Sequence, residues 1–398
     1  MKKKSYRLTI ISLFLFLVLF YVGFLLASHR PVWNDEIYSL TGIIRQSYGS
    51  IVLGRIQEGN NSPLFYLIQK IICSVSRYST PQQWTDGDWG WRDPYSEILL
   101  RINPIIFMSL SIAIIFHFFS RRYSMVAGIY SLFVSLSSYM VWAYWVDARP
   151  YALWIFMTTI QSLFFLNIVH EGKVSNVVGE EGASDGQWKR LIAVHFFLSL
   201  TSIFSIAQIA IVSSLLWFQY GKKWQRYVPL AVIPSALCLF YYARAPKYQF
   251  WFKETPLQLI NASIPKDRLL FIALFLGFVI LGCYMKRINL RSLFKNGLMR
   301  VSSYYLALTI LMIFAASLVL FIFKLTETPT HAGFQISNRY FIYLTPVGII
   351  ATTLFSIAMI NSVTGKMWVQ TMIIGGIGYL LFLRCLQTLA LVRGFYCF

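Results

Sequence analysis

The chain has 398 residues, of which 57% are hydrophobic and 13% charged, with a formal net charge of +20. An average soluble domain carries roughly 25% charged residues, so this composition excludes an ordinary water-soluble fold and points to a polytopic helical membrane protein. The basic residues are scattered over loops rather than gathered with aromatics in one domain. That argues against nucleic acid and for anionic headgroups and phosphates at a membrane surface. Cys73, Cys238, Cys283, Cys385 and Cys397 are odd in number and lack paired spacing, which disfavours structural disulfides and a zinc cluster.

The first apolar run, Leu8 to Ser28, has the roughly 20 residues a span requires and exceeds the core of a cleaved signal peptide. It predicts a retained helix whose start is held in the cytoplasm by Lys2, Lys3, Lys4 and Arg7. Apolar runs separated by charged breaks predict about eleven spans: 8–28, 98–119, 124–142, 151–169, 191–205, 206–220, 227–243, 269–285, 301–323, 340–360 and 367–389. Short basic breaks at Arg121-Arg122, Lys189-Arg190, Lys222-Lys223, Lys286-Arg287 and Lys366 then face inward. Residues 171–186, within a cytoplasmic linker at about 170–190, are polar and contain glycine.

Four regions face outward on this reading: 29–97, 143–150, 244–268 and 324–339. The longest opens with Trp33-Asn34-Asp35-Glu36-Ile37-Tyr38. Paired carboxylates a few residues beyond a membrane helix lose hydration and gain nothing from lipid, so they invite a catalytic or metal-binding role. The plainer alternative is that Asp35 caps a surface helix marked by Ile37, Leu40, Thr41 and Ile44, with Glu36 near its positive end. Pro63 to Val75 predicts a second amphipathic stretch, and Trp84, Trp89, Trp91 and Tyr95 an interfacial belt.

Asp147-Ala148-Arg149-Pro150-Tyr151 lies in the second outward turn, and Arg101 and Arg339 lie at the outer starts of two further spans. Asp147 is a candidate second acid and Arg149 a phosphate or carboxylate clamp; a local Asp–Arg pair would serve equally well as a cap. Arg101 and Arg339 could be snorkelling anchors, yet the topology puts them at the depth of Asp35 and Asp147. Asp86-Gly87-Asp88 has metal-ligand spacing in a sequence that favours a turn, and His331 reads as a loop histidine. His117, His170 and His195 read as structural. Phosphate loops and dinucleotide fingerprints are lacking, and no internal repeat stands out.

Taken in order, these segments resemble the GT-C superfamily of integral-membrane glycosyltransferases, in the branch of protein O-mannosyltransferases and lipid A aminoarabinose transferases. Trp33 to Tyr38 resembles the family's acidic "DE" signature. Ser62-Pro63-Leu64-Phe65-Tyr66 resembles "HPPLYY", and Glu97 to Pro104 resembles "ALRLPS". Asp147 to Leu153 resembles "EARPYAL", and Arg339 to Pro346 resembles "RYLLPLLP". Asn61 and Ser62 stand where the family has His-Pro, Asp147 replaces a Glu, and no C-terminal extramembrane domain is expected after the last span.

The resemblance implies a single all-α transmembrane domain that moves one sugar from a polyprenyl-phosphate donor to a hydroxyl on a lipid, polysaccharide or protein acceptor. Asp35 would be the general base, supported by Glu36, with Asp147 as second acid. Arg149, Arg339 and Arg101 would hold the donor phosphate, and Tyr38, Pro63, Tyr66, Tyr151 and Tyr340 would line the substrate site. No cofactor is implied with certainty; a divalent metal stays an open option. A bacterial inner-membrane location follows, with the site facing outward. The rivals are a flippase or transporter of a lipid-linked sugar, and a sugar polymerase or ligase of another membrane fold.

Overall fold

The computed structural model describes residues 2–30, 36, 39–56, 62–76, 94–178, 185–221, 224–245, 301, 305, 307–315, 318, 341–362, 378 and 382–390. Among them the regular structure is entirely helical. Four helical stretches are long and apolar enough to cross a membrane: Tyr6–His29, Ile98–Arg122, Tyr151–Val169 and Gln225–Arg244. Shorter apolar helices cover Leu64–Val75, Met125–Leu136, Ser205–Tyr220 and Leu344–Ala358. Of the eleven expected spans, 269–285 lies outside the described residues, as do parts of 301–323 and 367–389.

Helix α1, Lys2–His29, has no polar face. It leaves Leu13, Phe14, Leu17 and Tyr21 exposed on one side while Leu19, Leu26 and Ala27 enter the core. An apolar outer face is stable in lipid and a liability in water. Helix α4, Pro94–Arg122, is the hub, packing on α1, on α5 (Met125–Leu136) and on α7 (Tyr151–Val178). Between α1 and α4 come a π-helical turn at Ser39–Ile44, α2 at Tyr48–Val52 and α3 at Leu64–Val75. The surface helix expected after Asp-Glu is therefore a short π-helical turn in its described part, with Ile43 and Ile44 buried. Helix α3 buries Phe65, Tyr66, Gln69 and Cys73 and exposes the apolar Ile71 and Val75.

Two glycines let helices approach. At Gly23 a Cβ would stand 2.7 Å from Ile105 Cγ2 and 2.9 Å from Trp145 Nε1; at Gly128 it would stand 1.8 Å from Ser120 Oγ. The α4–α5 turn is set by Ser124, whose hydroxyl accepts from the Ala127 N–H at 3.1 Å.

The span expected over 124–142 is broken into α5 and α6 (Tyr139–Tyr144) at Ser137-Ser138. The Ser137 hydroxyl donates to the Val134 carbonyl, the local competition by which serine ends helices. The break expected near 205 falls at 200–204, between α8 (Asp185–Ser199) and α9 (Ser205–Tyr220). Helix α7 runs on to Val178 and α8 starts at Asp185, so the linker expected over 170–190 is mostly helix. Last come α10 (Trp224–Tyr227), a π-helical turn at Val228–Val232, α11 (Ile233–Arg244) and α12 (Leu344–Ser362). Helix α12 packs on α5 and α7, where Tyr343 just before it meets Trp154 with ring centroids 5.3 Å apart.

Candidate functional site

Antiparallel packing brings the C-terminal end of α1 beside the N-terminal ends of α4 and α7, and the charged residues of interest gather there. Arg101, one turn into the apolar part of α4, is fully buried. Its guanidinium forks onto Glu36, with Nε to Oε1 at 3.2 Å and Nη2 to Oε2 at 2.8 Å. Nη1 donates to the Ala27 carbonyl at 2.9 Å and also to that of Arg30. Glu36 is equally buried, and its Oε1 accepts a further bond from the Ala148 N–H at 2.9 Å. A buried ion pair loses hydration on both sides; a fork with backbone bonds to the remaining positions is the geometry that offsets the loss.

Asp147 and Arg149 flank Ala148 in a tight turn closed by a 2.6 Å bond from the Arg149 N–H to the Asp147 carbonyl. The Pro150 carbonyl then accepts from the Trp154 N–H and starts α7. Arg149 turns away to donate from Nη1 to Ser39 Oγ at 3.1 Å, in the π-helical turn. Asp147 is 1% exposed and lies with Oδ2 4.0 Å from Arg30 Nη2. Its Oδ1 is buried with no hydrogen-bond partner among the described residues. Burial is the largest influence on its titration and the Glu36 charge adds to it, while Arg30, Arg149 and Arg101 pull the other way; the result is pushed up to about 6.

The structure brings Glu36, Arg101, Asp147 and Arg149 together and adds three groups that sequence reasoning passed over. Arg30 carries no sequence signal beyond its charge; packing directs its Nη1 to the Ala143 carbonyl at 2.9 Å and Nη2 toward Asp147. Ser39 and the Ala148 N–H carry no sequence signal. Two expectations change. Arg101 was expected to hold a donor phosphate, but its nitrogens are engaged by Glu36 and two carbonyls in a buried position. Tyr66, expected to line the substrate site, is fully buried and packs edge-on to Phe65 in a satellite core with Ile43, Ile51 and Leu153.

Pro63 precedes α3, whose first N–H, that of Leu64, donates to the Leu200 carbonyl at 2.8 Å. Tyr151 is largely buried at the start of α7 and meets Tyr144 edge-on at 4.9 Å. Asp35, Tyr38, Arg339 and Tyr340 lie outside the described residues, as do Asp86, Asp88 and His331. Among the described residues no group of three or more His, Cys, Asp or Glu is placed to hold a metal. His195 is packed in the bundle, with Nδ1 toward the Leu230 carbonyl at 2.7 Å and Nε2 against Gln161 at 2.8 Å. His117 pairs with Ser12 at 2.8 Å across α1 and α4.

Comparison with known protein families finds no match to this chain, and comparison with characterised proteins finds none either.

Proposed function

We propose that the protein is a membrane-embedded glycosyltransferase of GT-C type, moving a sugar from a polyprenyl-phosphate donor to an acceptor hydroxyl at the outer membrane face. One observation supports the reading above others: Glu36, the immediate neighbour of Asp35, shares a hydrogen-bonded cluster with the Asp147–Arg149 turn. Segments that resemble separate family motifs thus meet at one end of a helical bundle.

The chemistry suits that arrangement. A polyprenyl phosphate departs as a stabilised anion, so the leaving oxygen needs cations rather than a strong acid. Asp35 takes the proton from the attacking hydroxyl, and Arg149 with Arg339 attracts the phosphate. Asp147 supplies a second carboxylate, and displacement in line inverts the anomeric carbon. An inner-membrane location with the cluster outward follows from the basic start of α1.

A transporter would draw instead on the polar row inside the bundle. Part of that row is tied up internally, as Gln208 is with Trp154 at 3.3 Å and with Thr158 at 3.4 Å, while Gln161 Oε1 and Ser213 Oγ are buried with no hydrogen-bond partner among the described residues.

The test is Asp35→Asn in the purified full chain, with mass spectrometry of the cell envelope naming the sugar. Transfer should fall by about 10³-fold or more while polyprenyl-phosphate binding persists. Retained transfer, or altered donor movement across vesicles without transfer, sinks the proposal.

A further inference from the structure

The cluster contains a pair whose placement differs from that of a reacting group. Glu36 has both carboxylate oxygens engaged, and Arg101 has bonds from Nε and both terminal nitrogens; neither side chain has exposed surface. Their bonds reach four separate pieces of chain: the end of α1 through the Ala27 and Arg30 carbonyls, the first loop, α4, and the Asp147–Arg149 turn through the Ala148 N–H. Two of the three backbone bonds fix a charged neighbour. The Arg30 carbonyl belongs to the residue whose guanidinium lies 4.0 Å from Asp147, and Ala148 stands between Asp147 and Arg149. A carboxylate saturated in this way is a poor base and a poor metal ligand, since either role would first require breaking these bonds.

We propose that Glu36 and Arg101 are positioning residues, a buried clamp that sets Arg30, Asp147 and Arg149 in register at the end of the bundle without touching substrate. As a statement about transfer this rests on the glycosyltransferase reading; as a statement about geometry it does not. The charged groups facing Asp147 are Arg30, Arg149, Arg101 and Glu36 itself. Neutralising Glu36 removes a like charge, which favours the Asp147 carboxylate.

The experiment uses the full chain in lipid nanodiscs and compares wild type with Glu36→Gln. Isotope-edited infrared spectroscopy follows the protonated Asp147 carboxyl, assigned by its loss in Asp147→Asn. The clamp predicts that this band titrates at lower pH in Glu36→Gln. In transfer assays kcat per folded molecule should fall about tenfold or more, with donor KM nearly unchanged and the acid limb moved the same way.

An unmoved band with unchanged kcat overturns the proposal, because Glu36 would then be merely structural. Abolished transfer at every pH with an unmoved band also overturns it, because Glu36 would then be the reacting group. If Glu36→Gln does not fold, Glu36→Gln/Arg101→Gln leaves no buried charge alone and carries the same readouts. If wild type transfers no sugar, the proposed function fails, while the band position still decides the clamp.

Discussion

Asp147 shows how one residue couples the site to pH. Its folded-state pKa lies near 6, above the ordinary 3.8, so the folded protein favours the protonated form. Its contribution to stability is complete below about pH 4 and is lost as pH rises through about 6. Asp147→Asn should therefore gain stability relative to wild type as pH is raised from 4 to 7, by a few kcal/mol at most, in thermal unfolding followed in nanodiscs. A constant difference across that range would show that Asp147 is not held in its neutral form. The clamp makes a second demand at this scale. Arg101→Met strands the Glu36 carboxylate, fully buried in the structure, and should cost about 3–5 kcal/mol. Adding Glu36→Leu should restore much of that loss, because two apolar groups leave no orphaned charge; a double variant as unstable as the single would contradict this.

At the scale of elements, the α1–α4–α7 contact is what assembles the site, and Gly23 is a close point between α1 and α4. Gly23→Ala puts a methyl against Ile105 and the Trp145 indole, whose N–H reaches Ser109 at 3.3 Å. Overpacking of this kind should cost about 1–3 kcal/mol and loosen the Trp145–Arg149 turn, lowering the unfolding temperature and shifting tryptophan emission. Gly128→Ala should be at least as damaging to the α4–α5 hairpin, since the Phe116 carbonyl, 3.0 Å from the new Cβ, is backbone and cannot rotate aside. Unchanged stability in both variants would mean that these helices do not pack as described.

For the whole molecule, the exposed apolar face of α1 and the four long apolar stretches imply that lipid completes the fold. The chain should stay with membranes through an alkaline wash and leave them only in detergent. On the proposed topology, a protease site inserted at residues 86–88 should be cut by protease added to spheroplasts with an intact inner membrane. One inserted at 179–184 should be cut only after the inner face is opened; the reverse pattern would place the charged cluster in the cytoplasm.

Helical class, the long apolar stretches and the charged residues at their ends were legible in the chain because hydrophobic length and charge placement are local properties. Leu8 to Ser28 needs no partner to announce a span. Glu36, Asp147 and Arg149 were legible as charges beside apolar runs. The interruption of 124–142 at two serines, and the helix that replaces most of the 170–190 linker, depended on competing backbone bonds that composition does not rank. Above all, the identity of each charge's partner belonged to tertiary structure. Whether a guanidinium at a helix end snorkels, grips a ligand or is forked onto a carboxylate depends on what packs against it. Arg101 and Arg30 show this: Arg101 is closed off by burial against Glu36, and Arg30 is directed to the Ala143 carbonyl and toward Asp147.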